Sequence, residues 1–284
     1  QAVLTPIAGD TTVATKTSVP TVTKTVAGEG RDAEGNRIWS EIADRNLVPG
    51  HALRDIAFKI DVALPDTVTA VGESGGYPLS IVDTLPEGFT YSQDDGTDIT
   101  AGGWFTVTVS DGESSVQLTP DRGGLSASVS EDGKTLTWTI SDLMALKGSV
   151  DLDHAVVSVI YDDEALNSKG VVDDVFSQTT SLALPFVNHT YATYKPFTYN
   201  FMGGENRTHE DTAKFYSYNL RVDKVGEDAE ALKGAAFTLT DADGTVIGKN
   251  ITAADDGTFC FTGLDSDVEY TLTETQVPSG HKAI

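Results

Sequence analysis

From Val22 onward, apolar residues recur at every second position in short runs broken by Gly, Asp, Asn and Pro. That is the period of strands that bury one face. Phe58, Ile60, Val62 and Leu64 share a face in one run, Phe105, Val107 and Val109 in another, and Leu136, Trp138 and Ile140 in a third. Residues 154–161 (HAVVSVIY) are apolar on both faces, as expected of a strand with neighbours on either side. The EDGK string at 131–134 predicts a hairpin turn. The helical signal is confined to 140–148, where Asp142 is placed to cap a short turn through Leu143, Met144 and Leu146. Residues 1–20 carry no period, end at Pro20, and read as a tail or the end of a preceding domain. The pattern predicts an all-β fold, a sandwich or a barrel.

Alternation resumes near Ser217 with YNLRVDKV. A strand, a tight Asp-Gly turn and a second strand follow over 235–248, and two further runs lie at 258–264 and 270–278. A chain of 284 residues exceeds the usual single-domain size of about 100–200. The division expected is a tail at 1–20, a first domain at 21–216 and a second at 217–284. No strand after 278 completes the second unit, so its closing strand is expected outside this sequence.

Charge narrows the functional classes. With 43 acidic against 19 basic residues the formal charge is −24, which excludes a nucleic-acid surface and disfavours anionic membranes, since both need clustered Lys and Arg. No apolar run approaches the roughly 20 residues of a membrane-spanning helix, and an export signal or anchor is expected outside this sequence. Cys260 is the only cysteine, so an internal disulfide and a cysteine-rich zinc site are excluded. Its setting between Phe259 and Phe261 predicts a buried, inert small hydrophobe. The five histidines show no metal spacing, and no nucleophile-elbow pattern occurs. The Asp-rich turns at 94–98 and 241–244 lack the terminal Glu of a calcium loop and read as turn chemistry. No cofactor, no metal and no turnover enzyme are expected.

Four features of the C-terminal segment carry a resemblance. They are Lys224 at the end of a strand, the small-residue-plus-Phe run Ala235, Ala236, Phe237, the G-x-F-x-F-x-x-L string from Gly257 to Leu264, and the Y-x-L-x-E-x-x-x-P-x-G string from Tyr270 to Gly280. Together they resemble a Cna-B-type (SpaA-like) domain. Residues 20–216 resemble, more loosely, the isopeptide-forming fimbrial domain that commonly precedes it in Gram-positive pilins. PTVTKTV with Lys24, LSIVDTLPEGFTY with Asp83 and FVNHTYATY with Asn188 carry that likeness. The long spacing from Lys24 to Asp83 points to loop insertions around 28–50 and 66–77. The resemblance implies tandem immunoglobulin-like (Cna-type) β-sandwiches in a cell-surface pilus subunit or wall-anchored adhesin. It also implies attachment by sortase to other pilin subunits or to the cell wall.

In such domains a lysine amine attacks an asparagine side-chain amide, a carboxyl group moves the protons, and ammonia leaves. An amine in water is protonated and inert, but burial disfavours the ammonium, and the strand holding Val22 and Val26 offers that burial to Lys24. Lys24 is the expected nucleophile, Asp83 the catalytic carboxyl and Asn188 the acceptor; Lys16, Asn200 and Asn206 are the competing assignments. In the second domain Lys224 and Glu274 take the first two roles, with the acceptor expected on a strand beyond Ile284. The nearest string to a pilin Tyr-Pro-Lys motif is TYKPF around Lys195. A second reading is a host glycan- or matrix-binding domain with Trp39, Trp104 and the Tyr191, Tyr194, Tyr199 cluster as its platform.

Overall fold

The computed structural model describes residues 19–44, 56–73, 75–91, 103–162, 166–167, 183–195, 206–252, 257–264 and 268–282. Lys16, Asn200, Tyr199, His51, the 94–98 turn and nearly all of the 1–20 tail lie outside them.

The first part of the chain contributes β1 (Thr21–Arg31), β2 (Arg37–Ser40), β3 (Ile42–Asp44), β4 (Ala57–Ala63), helix α1 (Val68–Gly72), β5 (Leu79–Thr84) and β6 (Thr90–Tyr91). There follow β7 (Phe105–Ser110), β8 (Ser115–Gln117), β9 (Leu125–Val129), β10 (Thr135–Ile140), β11 (Val156–Asp162), β12 (Leu166–Asn167) and β13 (Ala183–Tyr194). The last part holds β14 (Asp211–Asp223), β15 (Ala236–Asp241), β16 (Val246–Thr252), β17 (Thr258–Leu264) and β18 (Tyr270–Gln276). The chain is all-β, and its two main sheets face each other as a sandwich.

One sheet runs β2-β1-β4-β11-β7-β8, and the other β17-β14-β13-β5-β10-β9 with β3 added in parallel to β14. Period-2 alternation decides which side chains enter the space between them. Phe58, Ile60 and Val62 on β4 and Val157, Val159 and Tyr161 on β11 point in from the first sheet. Leu136, Trp138 and Ile140 on β10 and Leu79 and Ile81 on β5 point in from the second. As its apolar run predicts, β11 lies between two neighbours, β4 and β7. The β9–β10 hairpin closes through a turn at Ser130 to Thr135, with Gly133 at φ 71°. The Asp142 cap is real: its carboxylate accepts from Met144 N at 2.9 Å and starts a 3-10 turn over Leu143–Leu146. Within the stretches where insertions were expected, 28–50 holds β2 and β3 and 66–77 holds α1.

The 216/217 boundary falls inside a continuous strand. The first half of β14 pairs with β13, from Tyr218 opposite Ala183 to Asp211 opposite Thr190; its second half pairs with β17, from Leu220 to Asp223. Two apolar clusters flank this strand. One fills the sandwich, and the other joins Ala235, Phe237, Leu239, Ile247, Phe259 and Phe261 under the small β16-β15-β18 sheet.

Cys260 corrects an expectation. Phe259 and Phe261 take the inward positions of β17, so the same alternation turns Cys260 outward, opposite Arg221, where it is exposed. In the 241–244 turn, the Asp241 carboxylate accepts from the backbone N–H groups of Asp243 and Thr245, as turn chemistry predicts.

Phe215 on β14 stacks on Phe186 at 5.0 Å and meets Phe89 edge-on at 5.6 Å, which anchors the shared strand to the first core. Phe215→Ala is expected to lower unfolding free energy by about 3–5 kcal/mol, read as a fall in the urea midpoint. A loss below about 1 kcal/mol would show that this cluster does not hold β14.

Candidate functional site

Lys24, Asp83 and Asn188 come from three strands and two sheets, and each is fully buried. On β1, Lys24 occupies the inward position between Val22 and Val26, opposite Ile60 of β4. On β5, Asp83 continues the inward row of Leu79 and Ile81. Strand β13 pairs Thr190 with Asp83, so Asn188, two residues along, projects from the same face one strand away. The Lys24 amine thus enters from one sheet, while the carboxyl and the amide enter from the other. Strand β1 is held at this point by a hydrogen bond from Lys24 N to Asp211 Oδ2, 2.7 Å, at the start of β14.

The amine donates to Asp83 Oδ1 in a short contact. It lies 5.1 Å from the centroid of the Phe58 ring and 5.5 Å from that of Tyr161. Burial holds the Lys24 amine below its ordinary pKa, against the opposing pull of the Asp83 and Asp211 carboxylates. This is the direction a nucleophilic amine requires.

Two further residues complete the pocket, and the sequence reading did not select them. Tyr91 OH donates to Asp83 Oδ2 at 2.7 Å and Tyr161 OH donates to the same oxygen at 2.5 Å. Tyr161 also accepts from Asn188 Nδ2 at 2.6 Å. Burial, and then the Asp83 charge, push both phenols well above their ordinary pKa and keep them protonated. Asn188 Oδ1 has no hydrogen-bond partner among the described residues, a condition costing about 1–3 kcal/mol for a buried acceptor. Tyr161 was visible only as the last inward position of the 154–161 run, and Tyr91 as the end of the string that contains Asp83.

The other assignments fall elsewhere. Asn206 accepts from Tyr194 N through its backbone carbonyl, 2.9 Å, and lines a surface groove of about 430 Å³ with Pro78, Ser80 and Tyr191. Lys195 donates to Gly76 O at 2.9 Å. Trp39 on β2 has the Lys59 amine 5.4 Å from its ring centroid, and Arg207 lies 4.2 Å from that of Tyr191. Trp104, just before β7, packs partly against the core. Strands β2 and β7 are four spacings apart, about 19 Å, and Tyr191 belongs to the other sheet, so Trp39, Trp104 and Tyr191 do not sit side by side.

In the second unit, Lys224 Nζ lies 3.2 Å from Glu274 Oε1 as an ion pair and 5.8 Å from the Phe237 ring centroid. Both side chains keep some solvent, with exposures of 24% and 19%. Gly257, at φ +78°, brings its strand against the backbone here; an added Cβ would lie 2.8 Å from Lys224 O.

Asn188→Ala keeps the buried amine but removes the acceptor. Because the folded-state amine pKa is lowered, the unfolded chain binds more protons between that value and about 10.4. Stability of this variant is therefore expected to rise with pH across that window, relative to the double variant Asn188→Ala, Lys24→Met. Urea midpoints at a series of pH values read the difference. A difference that falls with pH would contradict the buried-amine assignment.

Residues 218–283 match the family described as SpaA, prealbumin-like fold domain. Comparison with curated proteins gives no match. Among solved structures, the chain is similar to the major pilin subunit BcpA of Bacillus cereus, with 15% identity and a TM-score of 0.53 over 93% of this chain and 61% of that one. It is similar to the pilus backbone RrgB of Streptococcus pneumoniae, with 13% identity and a TM-score of 0.54 over 93% and 91%. It is also similar to the T6 backbone pilin of serotype M6 Streptococcus pyogenes, with 17% identity and a TM-score of 0.56 over 93% and 50%. The chain thus has the all-β fold of these pilins and spans 61% of the length of the B. cereus subunit.

Proposed function

We propose that this chain is a structural module of a Gram-positive pilus or surface adhesin, strengthened by a self-formed isopeptide bond between Lys24 and Asn188 with Asp83 as the catalytic carboxyl. One observation carries the reading: three residues from separate strands, fully buried, converge with an amine that burial keeps below its ordinary pKa. A buried lysine and aspartate without a reaction to perform would be a net cost in an otherwise apolar core. The pilin fold and the SpaA-type match at 218–283 support the setting outside the cell, with sortase joining it to other subunits or to the wall. No turnover is involved, since each molecule reacts once.

The cross-link would join the two sheets directly. It would restrict the unfolded chain on the scale of a disulfide, about 2–4 kcal/mol, and would be indifferent to redox conditions. The modules proposed are 21–216, which contains the complete triad, and 217–284, in which Lys224 and Glu274 would be the nucleophile and the carboxyl group.

Intact mass of the purified chain is expected to fall about 17 Da below the sequence mass, one ammonia. Lys24→Ala and Asp83→Ala are each expected to restore the full mass after correction for the substitution. A wild-type chain at full mass would remove the bond from this proposal. A second ammonia loss, abolished by Lys224→Ala, would show that the second module closes by itself.

A further inference from the structure

The geometry points to Tyr161 as a second catalytic residue, relaying a proton from Asp83 to the nitrogen that leaves Asn188. This inference rests on the isopeptide reading above and assigns the part that Asp83 alone does not reach. The two carboxylate oxygens face different ways: Oδ1 meets the Lys24 amine, whereas Oδ2 is occupied by the hydroxyls of Tyr91 and Tyr161. Of these two phenols, Tyr161 is the one that meets Asn188, accepting from Nδ2 at 2.6 Å. A continuous path therefore runs from the Lys24 amine through Oδ1, Oδ2 and the Tyr161 hydroxyl to the Asn188 nitrogen.

The proton balance uses every link. Attack requires the microstate in which the proton shared by the pair sits on Asp83 Oδ2 and the Lys24 amine is neutral. Lys24 Nζ attacks Asn188 Cγ, forming the C–N bond and leaving negative charge on Oδ1 of Asn188 and positive charge on Nζ. The former amide nitrogen becomes pyramidal and gains a basic lone pair, so its hydrogen bond with Tyr161 inverts. Tyr161 then gives its phenol proton to Nδ2 and is refilled from Asp83 Oδ2, while Asp83 Oδ1 takes a proton from Nζ. The Cγ–Nδ2 bond breaks, ammonia departs, and the carbonyl re-forms as a secondary amide. Asp83 and Tyr161 both end protonated as they began. A carboxyl group using one oxygen on each side needs no rotation within a packed core.

The test compares two isosteric substitutions. Tyr161→Phe removes the relay hydroxyl and keeps the ring contacts with Phe58 at 5.3 Å and Trp138 at 5.7 Å. Tyr91→Phe removes the other hydroxyl on Oδ2, the one with no recorded contact to Asn188. Each full chain is purified promptly after a short expression pulse, its fold checked by circular dichroism, and the cross-linked fraction followed by intact mass over time. Tyr161→Phe is expected to slow ammonia loss by at least about tenfold more than Tyr91→Phe, in the range of general acid catalysis, about 10²–10⁴-fold. Equal slowing would mean that the tyrosines only tune Asp83 and would overturn the relay, as would wild-type kinetics in Tyr161→Phe. Should the phenylalanine variant not fold, a ring-fluorinated tyrosine at 161, with a more acidic hydroxyl, changes the rate if it relays a proton; an unchanged rate overturns the relay. Absence of the mass loss in wild type would instead overturn the isopeptide reading itself.

Discussion

The Lys24 amine lies between two β-sheets with no access to water, and much of the first sandwich is arranged around that fact. A buried cation is costly unless it is paired or discharged. Here Asp83 meets it from the opposite sheet, Phe58 and Tyr161 wall it in, and Asp211 fixes the backbone of its own residue. Each partner arrives by strand register. A one-residue slip of β1, β5 or β13 would turn its polar group out to solvent and leave the others stranded in the core. The same alternation that buries Val26, Ile81 and Phe186 therefore also sets the chemistry.

The second lysine–carboxyl pair makes a useful contrast. Lys224 and Glu274 lie as close as an ion pair should, but their side chains keep exposures of 24% and 19%, whereas Lys24 and Asp83 keep none. Proximity of an amine and a carboxyl is common to the two pairs; of the two, Lys24 and Asp83 are the pair with no solvent exposure.

The strands were legible because period-2 alternation records which face is buried, as in β4 from Phe58 onward and in β10, while β11 showed itself by an apolar run. Lys24, Asp83 and Asn188 were found through the family-like strings around them, and their convergence could not be read from spacing alone. Tyr91 and Tyr161 were missed for a physical reason: an inward tyrosine at the end of an apolar run looks like any other core aromatic until its hydroxyl partner is known. Cys260 was misread because its neighbours were weighed by composition, although the alternation of Phe259 and Phe261 already turned it outward. Helix α1 left little trace, being five residues with no side-chain cap at Thr67. Residues 211–223 change their inward set from Ala213 and Phe215 to Leu220 and Val222 across a register shift at Tyr218/Leu220, and this change of phase near 217 hid the continuity of β14.

That continuity has a mechanical meaning. Two modules joined by a linker can swivel, because a few free dihedrals absorb the rotation. Here the same thirteen residues serve as a ladder strand on both sides of the junction, so turning one module against the other must twist or unpair hydrogen-bonded backbone. Tension entering at β17 reaches the first sheet stack through β14 without crossing a slack segment. Were the chain a filament subunit, as proposed above, this joint would act as a stiff splice that hands on orientation as well as load, and bending would fall to the junctions between subunits.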